Sequence, residues 1–581
     1  MSRGARLASV SRPFGVYRVV SNAARDLPAR ADVGNKAFNL MVMARAGLPV
    51  PPGFVLGTEL CRAYVQNGRR ALAGIEAVLG HELEILQQQT GRRFGDPRRP
   101  LLVSVRSGAA VSMPGMMETV LNVGLNAETL SGLRRLTGNP RLALDCRRRF
   151  IEQYGEVVHE LEPRRFEEII ASELRSANAT SCSELDTLSL RTIVARHETV
   201  FEEAAGECFP ADPMAQLMAT VESVLKSWSS ERAKSYRALN NISGDAGTAT
   251  LIQAMVFGNA GPTSGSGVGF TRNPADGTDA LYIDYLANAQ GEDVVAGRRN
   301  ALGAEQLQRR APQAYAELIA HKDTLEKTFG DMQDFEFTIE DGKLFMLQAR
   351  NGKRTPLAAL RIAHDLVAGG IMTADAAVEK LSGIDLDQIE YLDLVVPEGV
   401  QPIGRAVSAG TGIAVGAAVF DPARMKAVKR DGTAILLREN AETADIAAIA
   451  EADALITARG ARTSHAAVVA RQLGKVCLVA CGGLKIDASG RSCRIGEVTV
   501  REGDVLSVDG ASGLIYAGRF AIRRAKPTEM LAEIKSWAEG IASRPGDKAD
   551  LLAVGSKEGE PPRRDRTNLR QRNVDRRDKK R

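Results

Sequence analysis

Residues 460–475 read GARTSHAAVVARQLGK and hold one histidine, His465, set between the hydroxyls of Thr463 and Ser464 and a run of small apolar residues. The stretch has no cysteine, second histidine or carboxylate, so neither a metal site nor a carboxylate-tuned base is indicated. A helix starting near Ser464 would turn its positive end toward the imidazole and favour an added phosphate. Thr463 and Ser464 would cap that helix and donate to phosphoryl oxygens. A capped helix with a surface histidine is the competing reading, and the dipole alone does not separate the two.

A second constellation lies in DMQDFEFTIEDGKLFMLQARNGKRT, residues 331–355. Phe335, Phe337 and Ile339 alternate with Asp334, Glu336 and Thr338, which sends the apolar side chains to one strand face and both carboxylates to the other. The side taken by Gln348 and Arg350 depends on the loop. A two-residue Asp-Gly turn sets Gln348 opposite Phe335. A three-residue Glu-Asp-Gly loop, with Gly342 at positive φ, shifts the parity. It sends Phe345 and Leu347 to the aromatic face and brings Gln348 and Arg350 to the carboxylates. The apolar pattern favours this longer loop, because a one-residue slip would bury the polar set. Two carboxylates, an amide and a guanidinium on one surface suit Mg²⁺ and the phosphates it accompanies. An exposed hairpin face with ordinary ion pairs reads equally well.

Weaker signals accompany the hairpin. Gly258, Gly261, Gly265, Gly267 and Gly269 in GNAGPTSGSGVG would let backbone N–H groups approach a phosphate, although the spacing is no P-loop. Lys36, before a helix in GNKAFNL, and Arg106, at a strand end in LLVSVRS, are phosphate-clamp candidates. Single basic residues are usually solvated, so these two matter only beside the hairpin.

The elements that must hold these residues follow from periodicity. Residues 32–57 read as a loop, an amphipathic helix and a Pro-rich passage into a strand. Residues 101–107 form a buried strand, followed by a Gly/Met/Pro loop and the strand TVLNVGL. Helical period dominates 128–235. Strands return in GTATLIQAMVFGN, before a glycine-dense turn at 258–274 and the hairpin. Residues 356–400 read as helices and a connector, 401–520 as a small domain of short strands and helices, and PTEMLAEIKSWAEGI as one further helix.

The 581-residue chain has 44% hydrophobic and 25% charged residues, a soluble multidomain composition. No apolar run reaches membrane-spanning length, so no membrane association is expected. Seven scattered cysteines without a CxxC pair fit a reducing cytoplasm. Residues 561–581 hold ten Lys/Arg against three Asp, a net of +7, so the rest of the chain carries −2 of the overall +5. Nucleic acid is therefore not expected as a partner of the folded part, and the tail has a disordered composition. The Arg- and Ser-rich residues 1–13 read as a leader, with an organelle transit peptide as the competing reading.

VSVRSGAAVSMPGMMETVLNVGLN, MVFGNAGPTSGSGVGFTRNP, NAQGEDVVAG, the hairpin and TSHAAVVARQLGK together resemble the pyruvate, phosphate dikinase family, in its order, over roughly residues 14–520. The resemblance implies an α/β and α+β multidomain chain. Its parts would be an ATP-grasp-type nucleotide-binding domain (14–355, with a helical insertion at about 128–235), a helical linker (356–400), a swivelling β/α phosphohistidine domain (401–520), and a linker helix with a basic tail (521–581). It implies that ATP and phosphate give AMP, pyrophosphate and a phosphohistidine at His465. Lys36 and Arg106 would contact the ATP phosphates, with Gly265 and Gly267 nearby. Asp334, Glu336, Gln348 and Arg350 would form the metal-nucleotide and transfer site, with Mg²⁺ on Glu336 and Gln348 and with Arg106 and Arg350 catalytic.

Three local departures from the family pattern stand out. Gly460-Ala461-Arg462 replaces Gly-Gly-Met, Gly34-Asn35-Lys36-Ala37 replaces Gly-Gly-Lys-Gly, and Asp284 stands for the usual Glu. The family's C-terminal (β/α)₈ barrel, which binds pyruvate or phosphoenolpyruvate, needs about 250 residues, and about 60 follow the swivel domain here. The expectation is a chain without that barrel, which passes its phosphoryl group to a separate phosphoenolpyruvate- or pyruvate-binding chain or to a different acceptor. A nucleotide-binding regulator without turnover is the alternative. Oligomeric state is not legible, and a homodimer is left open.

Overall fold

The computed structural model describes residues 14–20, 26–111, 119–295, 303–429, 432–441, 445–460, 465–487 and 490–542. The expected leader, the basic tail, Thr463 and Ser464 lie outside the described residues.

Two antiparallel sheets build the N-terminal part. One has five strands in the order Val16–Val19, Gly53–Leu56, Ala249–Ala254, Val103–Gly108 and Thr119–Val123. The other has four, in the order Lys343–Asn351, Gln333–Glu340, Gly265–Phe270 and Tyr282–Ala287. Six helices, from Ala127–Thr137 to Glu231–Leu239, interrupt the first sheet, as the helical period of 128–235 predicts. The longest, Pro140–His159, starts where Asn139 accepts from Leu142 N–H at 3.0 Å and Pro140 supplies a helix-ready φ.

The helix Arg30–Arg45 ties the two sheets together. Val33, Leu40 and Met43 share a core with Phe335, Phe337 and Met346, and Asn39 Nδ2 donates to the Ala349 carbonyl at 2.8 Å. Its first turn breaks at Gly34, with φ at 73°. A Cβ there would stand 2.1 Å from the Gly108 carbonyl oxygen, so only glycine fits. Asn35 N–H donates to the Ala109 carbonyl at 2.9 Å. Lys36 is thereby pinned beside the end of Val103–Gly108.

The 333–351 hairpin corrects one expectation. Its loop is the two-residue Asp341-Gly342 turn, with φ of 49° and 79°, closed by the Glu340–Lys343 pair. Phe337 pairs with Met346 but Glu336 pairs with Gln348, so Leu347 is an extra residue in a β-bulge. Leu344, Met346 and Ala349 therefore join Phe335, Phe337 and Ile339 in the core. Gln348 and Arg350 do face Glu336 and Asp334, but through the bulge rather than a longer loop, and Phe345 and Leu347 are not on the aromatic face. A bulge absorbs the slip that the apolar pattern seemed to require of the turn.

Residues 404–517 hold an eight-stranded sheet and a separate three-stranded one. The strands Ile413–Val419, Ala434–Arg438, Ala454–Thr457 and Val476–Val479 run parallel at its centre. The helices Ile446–Glu451 and His465–Gln472 pack on one face through Ala448, Ala466, Ala467 and Ala470. The two stretches expected as separate linkers form one unit. Strands Tyr391–Val395 and Ala521–Ala525 pair antiparallel, and helices Pro356–Ala368, Ala374–Leu381 and Thr528–Ala542 share a core that includes Leu360, Leu366, Leu381, Leu531 and Ile534. Among the described residues no helix is long and apolar enough to cross a membrane.

The glycine-dense stretch corrects a second expectation, since Gly265–Phe270 is a strand with neighbours on both sides. A Cβ at Gly265, Gly267 or Gly269 would lie 2.3 Å from Tyr285 Oη, 2.4 Å from Phe337 Cζ or 2.7 Å from Phe335 Cζ. Aromatic rings from both neighbouring strands fill the space that side chains normally occupy. Gly267→Ala is accordingly expected to lower stability by about 1–3 kcal/mol through overpacking. Gly80→Ala, in the helix Ile75–Thr90 with nothing within 4 Å of the added Cβ, is expected to gain about 0.5–1 kcal/mol. Urea midpoints of the two variants check both signs.

Candidate functional site

Three elements converge on one polar surface. The strand Val103–Gly108 carries Arg106, the hairpin carries Asp334, Glu336, Gln348 and Arg350, and the helix start at Gly34 carries Lys36. Arg106 Nη2 stands 3.7 Å from Glu336 Oε2, and its Nη1 donates to the carbonyl of Leu347, the bulge residue, at 3.5 Å. Arg106 Nε is buried with no hydrogen-bond partner among the described residues. Arg350 Nε donates to Asp334 Oδ2 at 2.8 Å. The residues read from the hairpin are thus brought together with Arg106 and Lys36.

The electrostatics are those of crowded cations. Burial, then the neighbouring Arg106 and Arg350 guanidiniums, lower the Lys36 ammonium to about 7, against the opposing pull of Glu336. Burial pushes the Asp334 carboxyl up, with Arg350 opposing and Glu336 adding to the rise. Three basic side chains face two carboxylates, with Arg106 and Asp334 largely buried and Arg350 half-exposed. A ligand with several negative charges would relieve the repulsion and engage the free Arg106 N–H.

Glu336 and Gln348 are direct cross-strand partners, so their oxygens offer two hard ligands on one side of the site. No group of three or more His, Cys, Asp or Glu able to hold a metal occurs among the described residues. This sparse set fits Mg²⁺, which takes one or two protein oxygens and completes its shell with waters and phosphates.

A cavity of about 440 Å³ adjoins these residues, lined by Arg106, Glu336, Thr338, Met255, Gln290 and Glu292 among others. Gln290 and Glu292 were not singled out from sequence, although they lie in NAQGEDVVAG. The available signal was the pair of acids directly after Gly291. Gln153 Nε2 donates to Glu292 Oε1, and Arg149 Nη1 lies 3.6 Å from Glu292 Oε2. Burial nevertheless pushes the Glu292 carboxyl up. Of the five glycines expected to approach a phosphate, only Gly258 lines the cavity. Gly265 and Gly267 sit in the sheet, where ring packing explains their type.

His465 is the first residue of the helix His465–Gln472, in agreement with a helix starting near Ser464. Its helix packs on the eight-stranded sheet of residues 404–517 and is not part of the hairpin site. Between these two regions, Tyr282 Oη donates to the Ser408 carbonyl at 2.8 Å.

Comparison with known proteins bears on both regions. Residues 73–302 and 304–367 match a family profile described as pyruvate phosphate dikinase, AMP/ATP-binding domain. Residues 431–513 match one described as PEP-utilising enzyme, mobile domain. The chain is 42% identical to the pyruvate, phosphate dikinase of Clostridium symbiosum over 536 residues, which is 90% of this chain and 61% of the relative. It is 40% identical to the chloroplastic pyruvate, phosphate dikinase 1 of Arabidopsis thaliana over 512 residues, 88% of this chain and 53% of that protein. It is also 40% identical to the Rhizobium meliloti (strain 1021) pyruvate, phosphate dikinase over 523 residues, 88% and 58%. The chain thus spans little more than half the length of these relatives.

The lowered Lys36 ammonium has a measurable sign. With a value of about 7, Lys36 is mostly neutral at about pH 8, and a polyphosphate that pairs with the ammonium form restores its proton. Calorimetry with tripolyphosphate in buffers of different ionisation enthalpy should show uptake of close to one proton at about pH 8 and little at about pH 6. Lys36→Arg, which stays charged, should bind with that uptake removed. Unchanged uptake in this variant would assign the titration to another group.

Proposed function

The chain belongs to the pyruvate, phosphate dikinase family, and on that premise we propose that it is the nucleotide-binding and carrier part of such a phosphotransferase. An ATP-grasp-type domain passes a phosphoryl group from ATP to His465 on a swivelling domain. The observation that carries this reading is the gathering of Lys36, Arg106 and Arg350 with Asp334, Glu336 and Gln348 beside one cavity.

In the proposed reaction ATP and inorganic phosphate become AMP and pyrophosphate, with one phosphoryl group left on His465. An imidazole nitrogen of His465 uses its lone pair to form a bond to the β-phosphorus, and the P–O bond to AMP breaks with its electrons going to the departing oxygen. Inorganic phosphate then attacks the terminal phosphorus, whose bond to the β-phosphate oxygen breaks, so that pyrophosphate leaves and one phosphoryl group stays on His465. Lys36, Arg106 and Arg350 lie along the phosphate chain and offset the charge that develops there. Asp334 orients the Arg350 guanidinium through its 2.8 Å bond. Glu336 and Gln348 would hold Mg²⁺, which neutralises phosphate charge when bound. At the start of the His465–Gln472 helix, backbone N–H groups would stabilise the transferred phosphoryl. Transfer onward to pyruvate, forming phosphoenolpyruvate, is assigned to an acceptor site outside the two matched domains.

Incubation with Mg²⁺, phosphate and ATP labelled at the β-phosphate tests the proposal. Acid-labile label and AMP are expected from the wild type and neither from His465→Ala. Arg106→Leu and Glu336→Leu should each slow labelling by about 10²–10³-fold. ATP binding without label or AMP in the wild type would overturn the transferase reading in favour of a nucleotide-binding protein without turnover.

A further inference from the structure

The loop after the helix Ile75–Thr90 contains RRFGDPRR, residues 92–99. Arg92 is half-buried and stands 3.7 Å from Glu340. Arg93, Arg98 and Arg99 are exposed, as are Arg134 and Arg135 in the last turn of the helix Ala127–Thr137. None of these five has a carboxylate within 4 Å among the described residues. Arg135 Nη2 donates to the Pro97 carbonyl at 2.6 Å and fastens the helix to the loop. A Cβ at Gly132 would lie 2.6 Å from that carbonyl oxygen, so glycine permits the approach. The loop itself is braced. Asp96 Oδ1 accepts from the Arg98 and Arg99 N–H groups at 2.6 and 2.8 Å. Arg93 N–H donates to the Arg99 carbonyl at 2.9 Å, and Phe94 N–H to Gln87 Oε1 at 2.9 Å. The loop's one carboxylate is thus engaged by main chain, and the guanidiniums stand on a fixed frame. A groove of about 860 Å³ runs beside them, lined by Arg93, Glu84, Gln87, Gln88 and Phe94 among others.

We propose that this groove and its arginine rim dock an acidic segment of a partner polypeptide. Guanidiniums pair with carboxylates through two parallel hydrogen bonds. A frame ordered before binding lowers the entropic cost of association. Like charges gathered without counter-charges also repel, and an acidic segment removes that repulsion. Two features favour a polypeptide over a nucleic acid. Glu84 and the Gln88 amide offer acceptors that main-chain N–H groups satisfy, whereas the phosphodiester backbone of DNA brings only acceptors. Phe94, the one aromatic residue in the groove's lining, is half-buried with its ring against Gly124, and base stacking needs an open ring face. Residues 561–581 of the chain itself, ten Lys/Arg against three Asp, have the wrong sign to occupy the groove.

The test is the anisotropy of a fluorescent decaglutamate peptide titrated with the full-length chain in about 0.1 M salt. The wild type is expected to bind it. The variant Arg98→Ser/Arg99→Ser/Arg135→Ser should weaken binding by about tenfold. The variant Lys579→Ser/Lys580→Ser/Arg581→Ser removes the same charge from the basic tail and should stay within about twofold of the wild type. Tripolyphosphate binding should be unchanged in both variants, which shows that a lost peptide affinity does not come from a lost fold. No peptide binding by the wild type, or equal losses in the two variants, would overturn the proposal, the second result being diffuse attraction to net charge. An oligothymidylate of matched charge that binds the same rim as tightly as the peptide would overturn the assignment to a polypeptide.

Discussion

Side chains alternate along a strand, so one residue more or less in a hairpin exchanges its buried and exposed faces. In the 333–351 hairpin that residue is Leu347. With it, Met346 and Ala349 fall into the core beside Phe335 and Phe337, and Gln348 and Arg350 fall opposite Glu336 and Asp334. Without it, the tight Asp341-Gly342 turn would drive the amide and the guanidinium into the apolar layer. The same residue offers its carbonyl to Arg106, so the irregularity that sets the hairpin's parity also anchors the arginine of the neighbouring sheet.

A second constraint is the thinness of the strand under the hairpin. Gly265, Gly267 and Gly269 leave room for Tyr285, Phe337 and Phe335, while the intervening Ser266 shares a 2.9 Å contact with Thr338 Oγ1. Ser266 and Thr338 line the cavity. One face of this sheet is therefore aromatic and closely packed and the other polar. The aromatic layer, together with the helix Arg30–Arg45, makes a rigid floor for the crowded cations above it. Burial against that floor, and then the neighbouring guanidiniums, lower the Lys36 ammonium.

Local patterns in the sequence carry much of this. The alternation of Phe335, Phe337 and Ile339 with Asp334, Glu336 and Thr338 shows which residues share a face, and the small residues after His465 mark a helix that does start there. Features made by partners distant in sequence are hidden. The 265–270 strand looks like a turn because its glycines lack strand propensity, and the rings that compensate come from residues 285, 335 and 337. The pairing of residues 391–395 with 521–525 is invisible because neither strand announces the other.

The topology of the His465 region bears on how a carrier histidine can serve more than one site. The chain enters and leaves residues 404–517 through two strands that pair with each other, so both tethers meet the same ribbon. An isolated two-stranded ribbon is marginal in water, and its cross-strand Asp393–Arg523 pair is largely exposed, which contributes little. The helices at its base, by contrast, bury Leu360, Leu366, Leu531 and Ile534 in a common core. If the 404–517 region moves as a body, weak pairing above a firm anchor would concentrate deformation in the ribbon and leave the eight-stranded sheet intact. On the reading proposed above, that is what the chemistry demands. His465 must keep its place at the start of its helix, because the N–H groups there hold the phosphoryl, while the sheet that carries the helix changes partners as one body.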